Sequence, residues 1–525
     1  MSVRIGALVL AMVLPGAAQA QPGAPLSAID WLEQALTQPI GPTAPPRAPG
    51  PQSVPPLGGL DGFSPVPPAE DGPITARPLT QATLDSTGLF AAARIGLPQD
   101  IWGQSPLRTL TDAIAAQTPD MVPAAQRLLL RLLVAEFAPP RLTTKDMAGQ
   151  LLAARLDKLI EIGALEQATQ LLEAAPNKTA ALNARAFDIA LLLGEEDRAC
   201  ARLQGQLFAE GGEAARIFCL ARQGEWQSAY AALGAARALG GIAPPDADLL
   251  ARFLEEEDAT PSLDPPADLT PMSWRILEAL GEPVGTGSLP VAFAHADLRG
   301  TSGWRAQIDA AERLTRTGVM QPGRLAGIYT QRRAAASGGV WDRVRAVQAL
   351  DDALGTAESG AIGTALLRAW PLFEQVDLDR AFARIFAEPL APHDLTGSAA
   401  TLQWKILLLA ETRLDRAAQI APDTSTGQLA MALAMGENLP ETDLPGLGQA
   451  ITAGFTAAPL PPPQSLWLEG NQRGRLLLDA LGQIATATQG DMRAAERGLS
   501  ALVALGLTRD ARQIALELLL LDRRG

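Results

Sequence analysis

The chain has 525 residues, 47% apolar but only 4% aromatic, and its 43 Lys and Arg against 57 Asp and Glu leave a net charge of −14. Such a balance repels phosphate backbones and supplies no basic stripe for counterion release, so nucleic acid is not an expected partner. An apolar content built on Ala and Leu, with two Tyr in all, argues against a β-sandwich or barrel, and the expected fold class is all-α.

Residues 1–20 have the layout of an export signal: Arg4, the apolar run Ile5 to Leu14, a break at Pro15-Gly16, and Ala18-Gln19-Ala20 as a small-x-small cleavage site. Cleavage after Ala20 implies a periplasmic location. No Cys follows the site to carry a lipid, and no later stretch reaches the roughly 18 apolar residues that span a bilayer, so no transmembrane anchor is expected. Residues 21–37 read as a short amphipathic docking helix capped by Ser27, with Ile29, Trp31, Leu32 and Leu36 as its partner-binding residues. A helix of this length is marginal alone, so it needs a surface to dock on, either a partner protein or the body of its own chain. Residues 38–83 form an expected Pro-rich disordered linker, because thirteen prolines between residues 39 and 78 leave too little apolar surface for a core.

The stretch 84–254 reads as an N-terminal helical repeat domain. Gly163-Ala-Leu-Glu-Gln-Ala168, Gly194-Glu-Glu-Asp-Arg-Ala199 and Gly224-Glu-Trp-Gln-Ser-Ala229 each place Ala five residues after Gly, at spacings of 31 and 30 residues. Gly is suited to the left-handed end of one helix and Ala to a close crossing by the next. The device returns at Gly490 to Ala495 and Gly506 to Ala511, with Thr412 in place of Gly before Ala417, and with Val344 in place of Ala after Gly339. These hairpins resemble the tetratricopeptide (TPR-like) family, although the spacing departs from that family's 34-residue period. The resemblance implies an α-solenoid of stacked antiparallel hairpins, whose exposed face suits protein ligands. Cys200 and Cys219 fall on two adjacent predicted helices at depths that permit a disulfide or two separate buried thiols.

Residues 255–270 are expected to be an acidic, Pro-rich linker, with an acidic binding tail as the alternative reading of Glu255 to Asp258. A middle helical domain, 271–390, and a C-terminal helical repeat domain, 391–525, follow. Its last helix, Arg509 to Leu521, is apolar enough to seal the end of the array.

His295 and His393 are the only histidines and lie far apart, which disfavours a His-dependent triad or a His-rich metal site. No cofactor or metal is expected, and the chain reads as non-enzymatic. Glu358-Ser359-Gly360 followed by Gly363 resembles the start of the lytic transglycosylase active site, which implies a peptidoglycan-binding or cell-wall-processing alternative. The continuation Thr364 to Arg368 departs from that family, and a helix cap is the ordinary reading. Arg and aromatic residues are densest between Phe293 and Arg343, where His295, Asp297, Arg299, Trp304, Arg305, Tyr329, Arg332, Arg333, Trp341 and Arg343 have the composition of an interface hot spot. An internal packing network is the alternative. The expected function is a periplasmic scaffold or adaptor for a protein partner in an envelope complex, such as motor, secretion or cell-wall machinery.

Overall fold

The computed structural model describes residues 83–141, 147–177, 179–203, 212–254, 268–440, 444–456 and 458–521. The export signal, the docking helix with Ile29, Trp31, Leu32 and Leu36, nearly all of the first linker and most of the second lie outside the described residues. What is described is almost entirely helical. In chain order the first helices are α1 (Leu107–Ala115), α2 (Pro123–Val134), α3 (Gln150–Glu161), α4 (Leu165–Ala174), α5 (Ala180–Leu193) and α6 (Glu196–Leu203). They are followed by α7 (Glu213–Arg222), α8 (Trp226–Leu239), α9 (Pro244–Leu254), α10 (Pro271–Ala279), α11 (Ala294–Asp297) and α12 (Trp304–Arg316). Next come α13 (Pro322–Thr330), α14 (Val340–Thr356), α15 (Ser359–Glu374), α16 (Asp379–Leu390), α17 (Ser398–Ala410) and α18 (Leu414–Gln419). The last are α19 (Ser425–Met435), α20 (Leu447–Gly454), α21 (Gln464–Glu469), α22 (Arg473–Thr488), α23 (Met492–Ala504) and α24 (Thr508–Leu520). A parallel bridge of two residues per strand, β1 (Phe90–Ala91) with β2 (Ala135–Glu136), is held by the buried Arg155. Its guanidinium donates to the carbonyls of Leu133, Thr87 and Ala135 at 2.7–2.8 Å, which keeps the cation satisfied although burial lowers its pKa to about 10.

The Gly-to-Ala device has a structural counterpart at every full copy. Gly163, Gly194, Gly224, Gly490 and Gly506 have φ of +81, +79, +81, +98 and +80, a region that costs an L side chain about 1–2 kcal/mol. The next N–H then reaches back across the turn, as in Ala164 to Leu159, Glu195 to Ala190 and Glu225 to Leu220, at 2.7–2.9 Å. This satisfies carbonyls that the helix end leaves open. The matching Ala168, Ala199, Ala229, Ala495 and Ala511 are all at most 1% exposed, so each small side chain sits where two helices meet. The variant copies differ. At the α17–α18 turn the left-handed residues are Glu411 and Arg413, φ +57 and +49, on either side of Thr412. Gly339 caps the start of α14 after a non-helical stretch from residue 331 to 338, so it does not turn a hairpin, although Val344 is fully buried.

The apolar residues form two cores. The larger draws on residues from Ala92 to Leu521, and thus on all three blocks into which the sequence divides; the smaller runs from Phe187 to Leu277, through α5–α10. The smaller core therefore spans the expected boundary at 255–270, because α9 and α10 pack on each other across it.

Helices also pack on partners distant in sequence. α1 lies on α22, and α2 on α24. The entry to α22 passes so close to the fully buried Trp102 that a Cβ on Gly474 would lie 2.5 Å from the ring, and Gly474 N–H donates to Ile101 O at 2.6 Å. The last helix packs against α2, α17, α19, α20 and α23. A neighbour-only stack has no such contacts between its first and last elements.

Candidate functional site

The cap of α2 shows how the early and late helices are joined. Val122 precedes Pro123 and offers no side-chain cap, so the first amides of α2 need acceptors from elsewhere. Glu517 of α24, fully buried, supplies one: its Oε2 accepts from Ala124 N–H at 2.6 Å. A carboxylate at a helix N-terminus is also favoured by the macrodipole. Its Oε1 lies 2.5 Å from Arg380 Nε of α16 and 3.9 Å from Arg127 of α2. Arg380 and Arg127 both pair with Glu411, at 2.7 and 3.0 Å. A fully buried carboxylate, Glu517, and an exposed one, Glu411, thus serve two arginines, and four segments of the chain meet in one charge network.

Beside this network opens a cleft of about 810 Å³. Six arginines line it: Arg94, Arg127 and Arg131 from the N-terminal part, Arg384 from α16, and Arg509 and Arg512 from α24. Only two carboxylates accompany them, Glu411 and Asp510. Arg131 pairs with Asp510; Arg512 donates to the carbonyls of Ala432 and Glu437 at 3.1 and 2.8 Å and sits over the Phe455 ring. Arg384 and Arg509 are exposed at the rim, and among the described residues Arg509 has no ion-pair partner. Gln513 also lines the cleft, with its buried Nε2 lacking an acceptor. Between the polar groups run Leu130, Leu408, Leu414, Leu433 and the half-exposed Met435. The result is an amphipathic, locally positive hollow on an acidic chain. Arginines in such a setting hold anions by bidentate bonds but neither give nor take protons at neutral pH.

The patch between Phe293 and Arg343 is brought together, but largely inward. Tyr329, fully buried, donates to Glu312 Oε1 at 2.8 Å, and Arg343 holds the same carboxylate with bonds of 2.7 and 2.5 Å. Burial, and then the Glu312 charge, push the Tyr329 hydroxyl well above its ordinary pKa. Trp304, buried, packs its ring 5.1 Å from Trp341 and donates to Ile328 O. His295 donates its Nε2–H to Gly163 O at 2.6 Å, tying α11 to the first hairpin turn; burial lowers its pKa. Asp297 accepts from Thr286, and Arg299 pairs with Glu278 at 3.0 Å. In these contacts the polar atoms and rings of Tyr329, Trp304 and Arg343 are spent on neighbouring helices. Arg305, Arg332 and Arg333 do face solvent, and the paired ones reach Asp309 and Asp352 only at 3.6–3.7 Å. A smaller hollow of about 380 Å³ lies near them beside Gln307, Arg324 and Gln331.

Cys200 and Cys219 lie with Cα atoms 5.3 Å apart and their sulfurs at bonding distance, joining α6 to α7. Glu358 is the exposed N-cap of α15 and lines neither hollow. Among the described residues no group of three or more His, Cys, Asp or Glu converges as metal ligands, and no helix is long and apolar enough to cross a membrane. Comparison with known proteins gives no matching family model, no matching curated protein and no matching solved structure.

The cleft arginines were not among the residues singled out from the sequence, since they are scattered from 94 to 512. A local signal did exist. Arg127 and Arg131 in α2, and Arg509 and Arg512 in α24, are spaced to share a helix face on segments that are otherwise rich in Leu.

Proposed function

We propose that the chain is an exported, non-enzymatic helical scaffold of the periplasm that binds a protein partner of an envelope complex, and that the arginine-lined cleft is where the partner docks. The observation that carries this reading is the convergence of six arginines with two carboxylates on a chain of net charge −14. Carboxylates of this chain offset Arg127 and Arg131, whereas the exposed Arg509 has no ion-pair partner among the described residues, so the hollow keeps a positive excess that favours an anionic partner. The groups also suit binding better than proton transfer, because the carboxylates in the cleft are already paired with guanidinium groups and no histidine lines it. Apolar residues interleaved with arginines are the composition of protein-binding hot spots.

The test is site-specific photocrosslinking in cells. A photoreactive residue at Met435, on the rim, is expected to give a discrete adduct in the osmotic-shock fraction, and the charge reversals Arg384→Glu and Arg509→Glu are expected to remove it. An adduct that survives both reversals, or a protein confined to the cytoplasmic fraction, would end this reading.

A further inference from the structure

Taking the cleft as the docking site, we infer that what it recognises on the partner is an acidic amphipathic peptide segment, with carboxylates spaced by aliphatic or aromatic residues. The cleft already displays the interaction in miniature. Its arginines grip carboxylates of this chain, Arg131 holding Asp510 and Arg127 holding Glu411 at 3.0 Å. Carboxylates from a second chain would continue that pattern onto Arg509, which stands exposed at the rim beside the exposed Arg384. An Arg fork matches a carboxylate with two parallel bonds, so each added acidic residue is fixed in orientation as well as attracted.

The apolar wall decides between a peptide and a bare anion. Leu414, Leu433 and Met435 line the cleft together with the cations; Leu433 is buried, Leu414 is half-buried and Met435 is 48% exposed. An inorganic or headgroup phosphate would neutralise the arginines and leave Met435 and the open part of Leu414 in water. A peptide that alternates acidic and apolar residues covers both. Met, with its adaptable thioether, suits the rim of such a site. The open mouth, bordered by exposed Arg384, Arg509 and Met435, allows a segment to enter and leave. Because the walls come from both α2 and α24, an occupant would also tie those helices together and stabilise the fold by mass action.

The experiment uses the processed full-length protein and a fluorescein-labelled short peptide in which Asp and Glu alternate with Leu, followed by fluorescence anisotropy. Binding is expected in the micromolar range, weakening at least tenfold between low and moderate salt, with a Lys-for-acid version of the peptide silent. The R384A/R509A double variant, which alters only exposed side chains, should keep its melting temperature and lose at least tenfold in affinity. Absence of peptide binding, equal binding by the double variant, or displacement of the peptide by inorganic phosphate or by phosphatidylglycerol vesicles at comparable anion concentration would each overturn the inference. The docking reading would survive those results if the Met435 adduct still depended on Arg384 and Arg509, so the two can fail separately.

Discussion

The helices α5–α10 and the helices that meet at the cleft, α2, α16, α17 and α24, are stabilised in different ways. In the first region most contacts are between neighbours in sequence, with a core of its own and one covalent tie, Cys200–Cys219. Several of its ion pairs lie on the surface, as where Arg222 reaches Asp197 at 2.9 Å with both side chains at least 37% exposed, although the buried Arg275 also pairs with Glu196. Surface pairs contribute about 0–1 kcal/mol each. In the second region the partners are hundreds of residues apart, and charge is buried, with Glu517 at 0% and the Arg380 side chain at 8% exposure. The first region is therefore built mainly on local contacts, whereas the cleft region is joined by long-range charge pairs around the fully buried Glu517.

The largest expected effect follows from that difference. Glu517→Ala should cost about 3–5 kcal/mol in urea unfolding, since it removes the buried partner of Arg380, leaving it only Glu411, and uncaps α2. A loss below about 1 kcal/mol would mean that water reaches the network and that the two regions are alike. Next in size is the disulfide. Its 19-residue separation makes Cys200→Ala with Cys219→Ala worth about 3 kcal/mol by loop entropy, and hydrogen exchange should quicken in α5–α10 while α24 keeps its protection. Uniform loss of protection would erase the distinction.

Two smaller effects sharpen it. Gly474→Ala forces a Cβ against Trp102 and should cost about 1–3 kcal/mol, detectable as a blue-shifted or quenched tryptophan signal together with a lower melting temperature. Gly224→Ala, with nothing near its Cβ, should cost only the left-handed backbone penalty of about 1 kcal/mol. Asp188 of α5 gives a pH signature confined to the first region. Burial raises its carboxyl to about 6, with Arg185 opposing. The folded state thus favours the protonated form, so this group's contribution is complete below its ordinary pKa and is lost as pH rises through about 6. Asp188→Asn should stabilise the protein by about 1–2 kcal/mol at pH 7, with the gain shrinking toward pH 4; a gain unchanged by pH would show that the carboxylate is solvated.

Legibility in the sequence followed the range of the interaction. The Gly-to-Ala spacing located five hairpin turns and the alanines at their crossings, because both requirements act within one helical turn of the residue concerned. Where Gly is absent the left-handed positions fall on Glu411 and Arg413, on either side of Thr412. The Phe293–Arg343 patch was visible as a cluster, but composition could not say which way its side chains face. Tyr329 and Arg343 turn inward because Glu312, on the packed helix α12, is there to receive them.

By itself the sequence determined the class of fold, the turns and the small-residue crossings, since helix period, glycine backbone freedom and side-chain volume are local properties. Only the tertiary structure decided that α24 would cap α2 and that arginines from residues 94 to 512 would share one hollow. Those outcomes depend on which distant surfaces bury each other. No window along the chain contains both halves of a charge pair such as Glu517 and Arg380.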